Sequence, residues 1–132
     1  MATQLEKIQP LLALESELLK LPQVDMPIEH QFCNGLYART MRIPAGTVAT
    51  GAIHREESFF LVRSGDLILS TGEESNQLGA GDMCISTPGM KRAVVTLTDV
   101  VLTTFHPNPS NETDPDNLWH MYTMPVLLEC VQ

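Results

Sequence analysis

Between Leu11 and Leu21 apolar residues recur at helical spacing, with Leu11, Leu14 or Glu15, Leu18 and Leu21 on one stripe. Pro10 suits a first-turn position and Pro22 ends the run, so the spacing predicts a short amphipathic helix. Pro22, Pro27 and the polar residues between them read as an extended lead-in. From Gly35 the period shortens to two. Runs at Leu36–Ile43, Thr47–Ile53, Phe59–Val62, Leu67–Ser70, Met83–Ile85, Ala93–Leu97 and Val100–Phe105 predict strands. Turn-forming clusters separate them, among them Pro44-Ala45-Gly46, Ser64-Gly65-Asp66 and Gly79-Ala80-Gly81-Asp82. Strands this short and this closely spaced predict an all-β antiparallel sandwich or barrel rather than βαβ units. Beyond Phe105 the chain is polar and proline-rich as far as Asp116, which predicts a loop. Apolar character returns from Leu118 to Val131, an extended C-terminal tail expected to dock on its own barrel or on a neighbouring subunit, with Trp119 in a packing role. The expected divisions are 1–34 for the helix and lead-in, 35–106 for the barrel, and 107–132 for the loop and docking tail.

A chain of 132 residues makes one domain with its own core. Eight Lys and Arg against 16 Asp and Glu give a net charge of −8, which argues against nucleic acid as a partner; an anionic ligand would have to meet a local cluster of arginines. Cys33, Cys84 and Cys130 are odd in number and widely spaced, so neither a disulfide framework nor a zinc clip is expected, and a reducing cytoplasm fits best. No apolar run approaches the ~18 residues of a membrane span, and no membrane partner is expected. The leucine stripe and the apolar tail from Leu118 predict a homo-oligomer, most simply a dimer, which light scattering would read directly.

Two blocks carry the candidate chemistry. The first runs from Gly51 through His54 and Ser58 to Gly65-Asp66, and the second from Gly81-Asp82 through Pro88-Gly89 to Arg92. Together they resemble the two-motif frame of the cupin barrel, which implies a double-stranded β-helix, or jelly roll, with a metal held by imidazoles and a carboxylate. In that alignment Ala52 stands at the first His, Ser58 at the Glu and Arg92 at the last His, so only His54 is retained. Further phrases are similar to small single-domain cupins of bacteriophages and prophages: His30-Gln31-Phe32, Gly35-Leu36-Tyr37-Ala38-Arg39, Ile43-Pro44-Ala45-Gly46-Thr47, Pro88-Gly89-Met90-Lys91-Arg92 and Thr103-Thr104-Phe105-His106-Pro107. That resemblance implies a fold and a phage setting, hence a host cytoplasm, without a settled activity.

Alternation along Leu36–Ile43 places Tyr37, Arg39, Met41 and Ile43 on the inward face. Counting back from a hairpin turn at Thr98-Asp99 pairs Arg92 with about Phe105 and Lys91 with about His106, which brings Arg92 and His106 to the barrel end that receives His54. The expected ligand-binding set is therefore His54, Arg92, His106, Arg39, Tyr37 and Ser58, suited to a small anion. An interior Arg needs a carboxylate, carbonyls or a bound anion. The plainer reading of each Arg alone is a pair with Glu56, Glu57 or Glu112. The expected cofactor is none; the alternative is a divalent metal on His54 and His106 joined by Glu112 or Glu57, serving an oxygenase, isomerase or hydrolase. His30 and His120 read as ordinary surface or packing residues. A third reading is a virion accessory or a host-protein interaction protein using the barrel only as scaffold.

Overall fold

The computed structural model describes residues 3–124. Helix α1 spans Gln4–Leu18, starting seven positions before the apolar stripe anticipated from Leu11. Its beginning is set by a reciprocal cap: the Glu6 amide donates to Thr3 Oγ1 at 3.1 Å and the Thr3 amide donates to the Glu6 carboxylate at 3.2 Å. Pro10 lies inside the helix rather than in its first turn, so it withholds one N–H from the ladder and faces solvent. The buried face is Ile8, Leu11 and Leu12, and Ile8 and Leu12 pack on Ile53 together with Leu5 and Met124. Of the anticipated stripe, Leu11 is buried, Leu14 and Leu18 are half-buried, and Leu21 is exposed beyond the helix end. Tail residues 125–132 lie outside the described residues.

Among the described residues all strand pairs are antiparallel. One sheet has five strands, in the order β1 (Ile28–Cys33), β2 (Gly35–Ile43), β10 (Val100–Asn108), β5 (Ser58–Ser64), β8 (Met83–Ser86). A second has four, in the order β3 (Val48–Thr50), β9 (Ala93–Thr96), β6 (Leu67–Ser70), β7 (Ser75–Leu78), and the short strands β4 (Ile53–His54) and β11 (Thr123–Met124) pair with each other. The core joins Ile43, Phe60, Val62, Val100 and Leu102 of the larger sheet to Leu67, Leu69 and Val94 of the smaller. The expected all-β barrel is present.

Several elements differ from the sequence reading. The run Thr47–Ile53 divides at Gly51 into β3 and β4, which take different partners. Strands β1 and β7 were not expected, and β1 extends the larger sheet by pairing with β2 along its whole length. Strand β10 continues through Pro107 because beyond Phe105 it has a ladder only with β2, so the missing N–H can face the open side. Within the expected loop and tail, Asp114 caps and Pro115 opens a helix α2, Pro115–Tyr122.

The anticipated β9–β10 hairpin does not form. Strand β9 pairs with β3 and β6 and strand β10 with β2 and β5, so Leu97-Thr98-Asp99 carries the chain from one sheet to the other. The β5–β6 turn braces that crossing: the Asp66 amide donates to Thr98 Oγ1 at 2.9 Å and the Leu97 amide to the Asp66 carbonyl at 2.9 Å. Gly65 makes the contact possible, with φ +87° and a position where any Cβ would lie 2.1 Å from the Asp99 carbonyl oxygen.

Candidate anion-binding site

The ladders fix which side chains share a level inside the barrel. Tyr37 pairs with His106 and Phe32; Arg39 with His30 and Thr104; Thr104 in turn with Phe60. Two residues further along come Met41, Ile28 and Leu102, then Ile43 with Val100. Because side chains alternate, these rows stack on one interior face as a polar level followed by apolar levels. All of them but Phe32 and Val100 line a cavity of about 470 Å³ between the sheets, within the size range of small-molecule sites.

Arg92 enters the polar level from the segment leading into β9. It is 7% exposed, its guanidinium carbon lies 4.8 Å from the centre of the Phe60 ring, and its Nη1 has no hydrogen-bond partner. No carboxylate pairs with it among the described residues, whose ion pairs are Lys7–Glu73, Lys20–Glu17 and Lys91–Glu15. Burial pushes its pKa down to about 10, so it keeps its charge at neutral pH without a counterion. Arg39 likewise lacks an acidic partner among these residues and lies over Trp119 at 5.8 Å. The plainer reading, in which Glu56, Glu57 or Glu112 neutralises these arginines, is not what the fold builds. Glu112 instead closes its own loop: its carboxylate accepts the Thr113 and Asp114 amides at 3.0 and 2.9 Å, and its backbone exchanges hydrogen bonds with the Asn108 side chain.

His54 and His106 meet edge to face, with ring centres 5.2 Å apart. The His106 Nε2 is 2.8 Å from Thr104 Oγ1. Burial, reinforced by the neighbouring arginines, lowers His54 to about 4; burial, then His54, Arg39 and Arg92, lowers His106 to about 3. Both are therefore neutral near pH 7. Tyr37 stacks between His30 and His106, its hydroxyl 2.6 Å from His30 Nδ1, and burial raises its pKa despite the opposing pull of Arg39. Helix α2 closes this level by packing Leu118 and Tyr122 on Tyr37, and the Tyr122 hydroxyl donates to the Pro107 carbonyl.

Five of the six expected residues, His54, Arg92, His106, Arg39 and Tyr37, line the same cavity. Ser58 does not. Its Oγ is buried without a partner, opposite the equally unpaired Ser86 on β8. His30, Thr104, Trp119 and Tyr122 line the cavity and were not expected there. The Ile28, His30, Phe32 alternation was the available signal for the first, and the Asp114-Pro115 cap followed by Leu118 and Tyr122 four apart was the signal for the helix.

The two depressed imidazoles make stability pH-dependent. The folded protein keeps both neutral down to about pH 4 and 3, whereas an unfolded chain protonates them at about 6.5. Their contribution is complete above pH 6.5 and is lost as pH falls below it, at up to ~1.4 kcal/mol per pH unit for each imidazole. Urea unfolding from pH 7 to 5 should show this decline, and His106→Asn should flatten it. An equal slope in the variant would show that other groups set it.

No protein family model matches the sequence, and no curated protein does. Solved structures do. A protein with a double-stranded β-helix domain from Klebsiella pneumoniae aligns with a TM-score of 0.57 at 13% identity, over 70% of this chain and 84% of that one. A cupin-2 domain protein from Shewanella frigidimarina gives 0.52 at 13% identity over 71% and 91%, and a cupin superfamily protein from Desulfitobacterium hafniense gives 0.55 at 7% over 70% and 85%. The chain has a cupin fold. At these identities the likeness extends to the fold alone. The metal that the cupin motifs imply does not fit this donor set: among the described residues no three His, Cys, Asp or Glu side chains converge, Glu112 is spent on its own loop, and Arg92 brings a positive charge to the same level. Among the same residues no helix is long and apolar enough to cross a membrane.

Proposed function

We propose that this cupin barrel binds a small organic anion at the level of Arg92 and Arg39. The observation that carries the reading is the buried Arg92, which lines the cavity with Nη1 unpaired and, among the described residues, no acid to neutralise it. A buried cation in this state carries a desolvation cost that an incoming anion offsets, and charge-assisted hydrogen bonds in such a site contribute roughly 1.5–3 kcal/mol each. The neutral imidazoles of His54 and His106 add N–H donors and no competing negative charge. Asp116, exposed at the start of α2, is the single carboxylate among the described lining residues. The phage-like phrases bear on genomic setting, and the binding reading does not depend on them.

The alternative of a metal-dependent enzyme on His54 and His106 makes the opposite demand. Gentle purification followed by elemental analysis and acid extraction should recover far less than one equivalent of iron, zinc or manganese, together with organic acids released on denaturation. A full equivalent of one metal, lost in a His54→Ala variant, would overturn the anion reading in favour of metal chemistry.

A further inference from the structure

The cavity is polar at one end only, and that asymmetry narrows the ligand. The row Arg39, His30, Thr104 gives way within two residues to Met41, Ile28 and Leu102, and within four to Ile43. Val94 from the opposite sheet and Met26 from the segment before β1 complete the apolar end. From the polar row at Arg39 to Ile43 is four strand residues, roughly 13 Å, so an acid whose head lies in that row and whose chain reaches Ile43 is about eight to ten carbons long. A polyhydroxylated anion such as a sugar phosphate would bury hydroxyls against this wall without partners, which is costly. An acid with a hydrocarbon body would bury apolar surface there while its anion reaches Arg92.

We propose that the ligand is an amphipathic organic acid: a carboxylate head held between Arg92 and Arg39 in the row of Thr104 and Phe60, with an unbranched or aromatic hydrocarbon body lying along Met41, Leu102, Val94 and Ile43. This rests on the anion-binding reading above and adds the chemistry of the rest of the molecule. Trp119, the single tryptophan of the chain, lines the cavity and contacts Arg39, so its fluorescence reports occupancy.

The test is a fluorescence titration of the full chain with straight-chain carboxylates from acetate to decanoate, with the matching alcohols and with inorganic phosphate, at fixed ionic strength. The dissociation constant should fall about three- to fourfold per added methylene until the apolar end is filled near about eight to ten carbons. Each alcohol should bind at least tenfold more weakly than its acid, and Arg92→Met should remove that difference. Ala49→Phe, which narrows the apolar end from the short strand β3, should abolish the dependence on chain length; Met26→Trp, on a segment outside the sheets, serves if the first variant fails to fold. Binding of phosphate or acetate that needs Arg92 but gains nothing from longer chains would overturn this inference and leave the anion site standing. Acids and alcohols binding alike, indifferent to Arg92→Met, would overturn both.

Discussion

Arg92→Met should raise the melting temperature of the ligand-free protein by several degrees, because it replaces an unpaired buried cation with an apolar side chain of similar length. Wild-type Arg92 is buried beside the Phe60 ring and leaves Nη1 without an acceptor. Exchanging buried charge for packed hydrocarbon is commonly neutral or stabilising by ~1–4 kcal/mol, and the unpaired state here argues against the neutral end of that range. Met reaches the same space beside Phe60. A structural arginine would behave in the opposite way, since its removal would orphan a carboxylate and lower stability. Thermal unfolding of the two proteins without added ligand distinguishes the cases, and a fall in melting temperature on Arg92→Met would assign Arg92 to the architecture.

The second large effect belongs to its neighbour. Lys91 and Arg92 point apart: Arg92 into the cavity, and Lys91 towards α1, where its Nζ meets the Glu15 carboxylate. Lys91 is 1% exposed, and the same Glu15 oxygen also accepts from Thr50 Oγ1 at 2.6 Å. This triad fastens the N-terminal helix to the barrel wall beside the site. Glu15→Ala leaves a buried ammonium without its counterion and should cost about 3–5 kcal/mol, towards the lower figure because Glu15 itself is partly exposed. The double change Glu15→Leu with Lys91→Met removes both charges and should recover most of the loss. Chemical denaturation of the three variants reads the result, and a single variant as stable as wild type would show that Lys91 reaches water once the helix loosens.

Much of this architecture was legible in the chain because period-two alternation and turn residues mark half-buried strands locally. Tyr37, Arg39, Met41 and Ile43 could be assigned to the interior from alternation alone, and they line the cavity. Pairing was less legible. A hairpin across Thr98-Asp99 was the economical reading of two adjacent strands, yet nothing local tells a turn from a crossing between sheets; here the decision rests with Gly65 and Asp66, more than thirty residues earlier. Arg92 and His106 reach the same cavity all the same, His106 through its pairing with Tyr37 and Arg92 through its carbonyl, which accepts the Gly51 amide at 2.9 Å. Strand β1 was hidden by its position directly after Pro27 and by Glu29 and Gln31, which are exposed, so His30 was read as peripheral. Ser58 shows the limit of motif alignment: it occupies the position of a ligand, but a serine side chain is too short to leave the strand pair it shares with Ser86.

The proposed anion site is tested most directly by calorimetric titration of wild type and Arg92→Met with octanoate at constant pH and ionic strength. Wild type should bind one equivalent at pH 7, where octanoate is ionised, Arg92 is charged and both imidazoles are neutral; Arg92→Met should bind at least tenfold more weakly while remaining folded. Equal binding by the two proteins, or no binding by wild type to octanoate or to any other small anion, would contradict the assignment of Arg92 as the ligand's counterion.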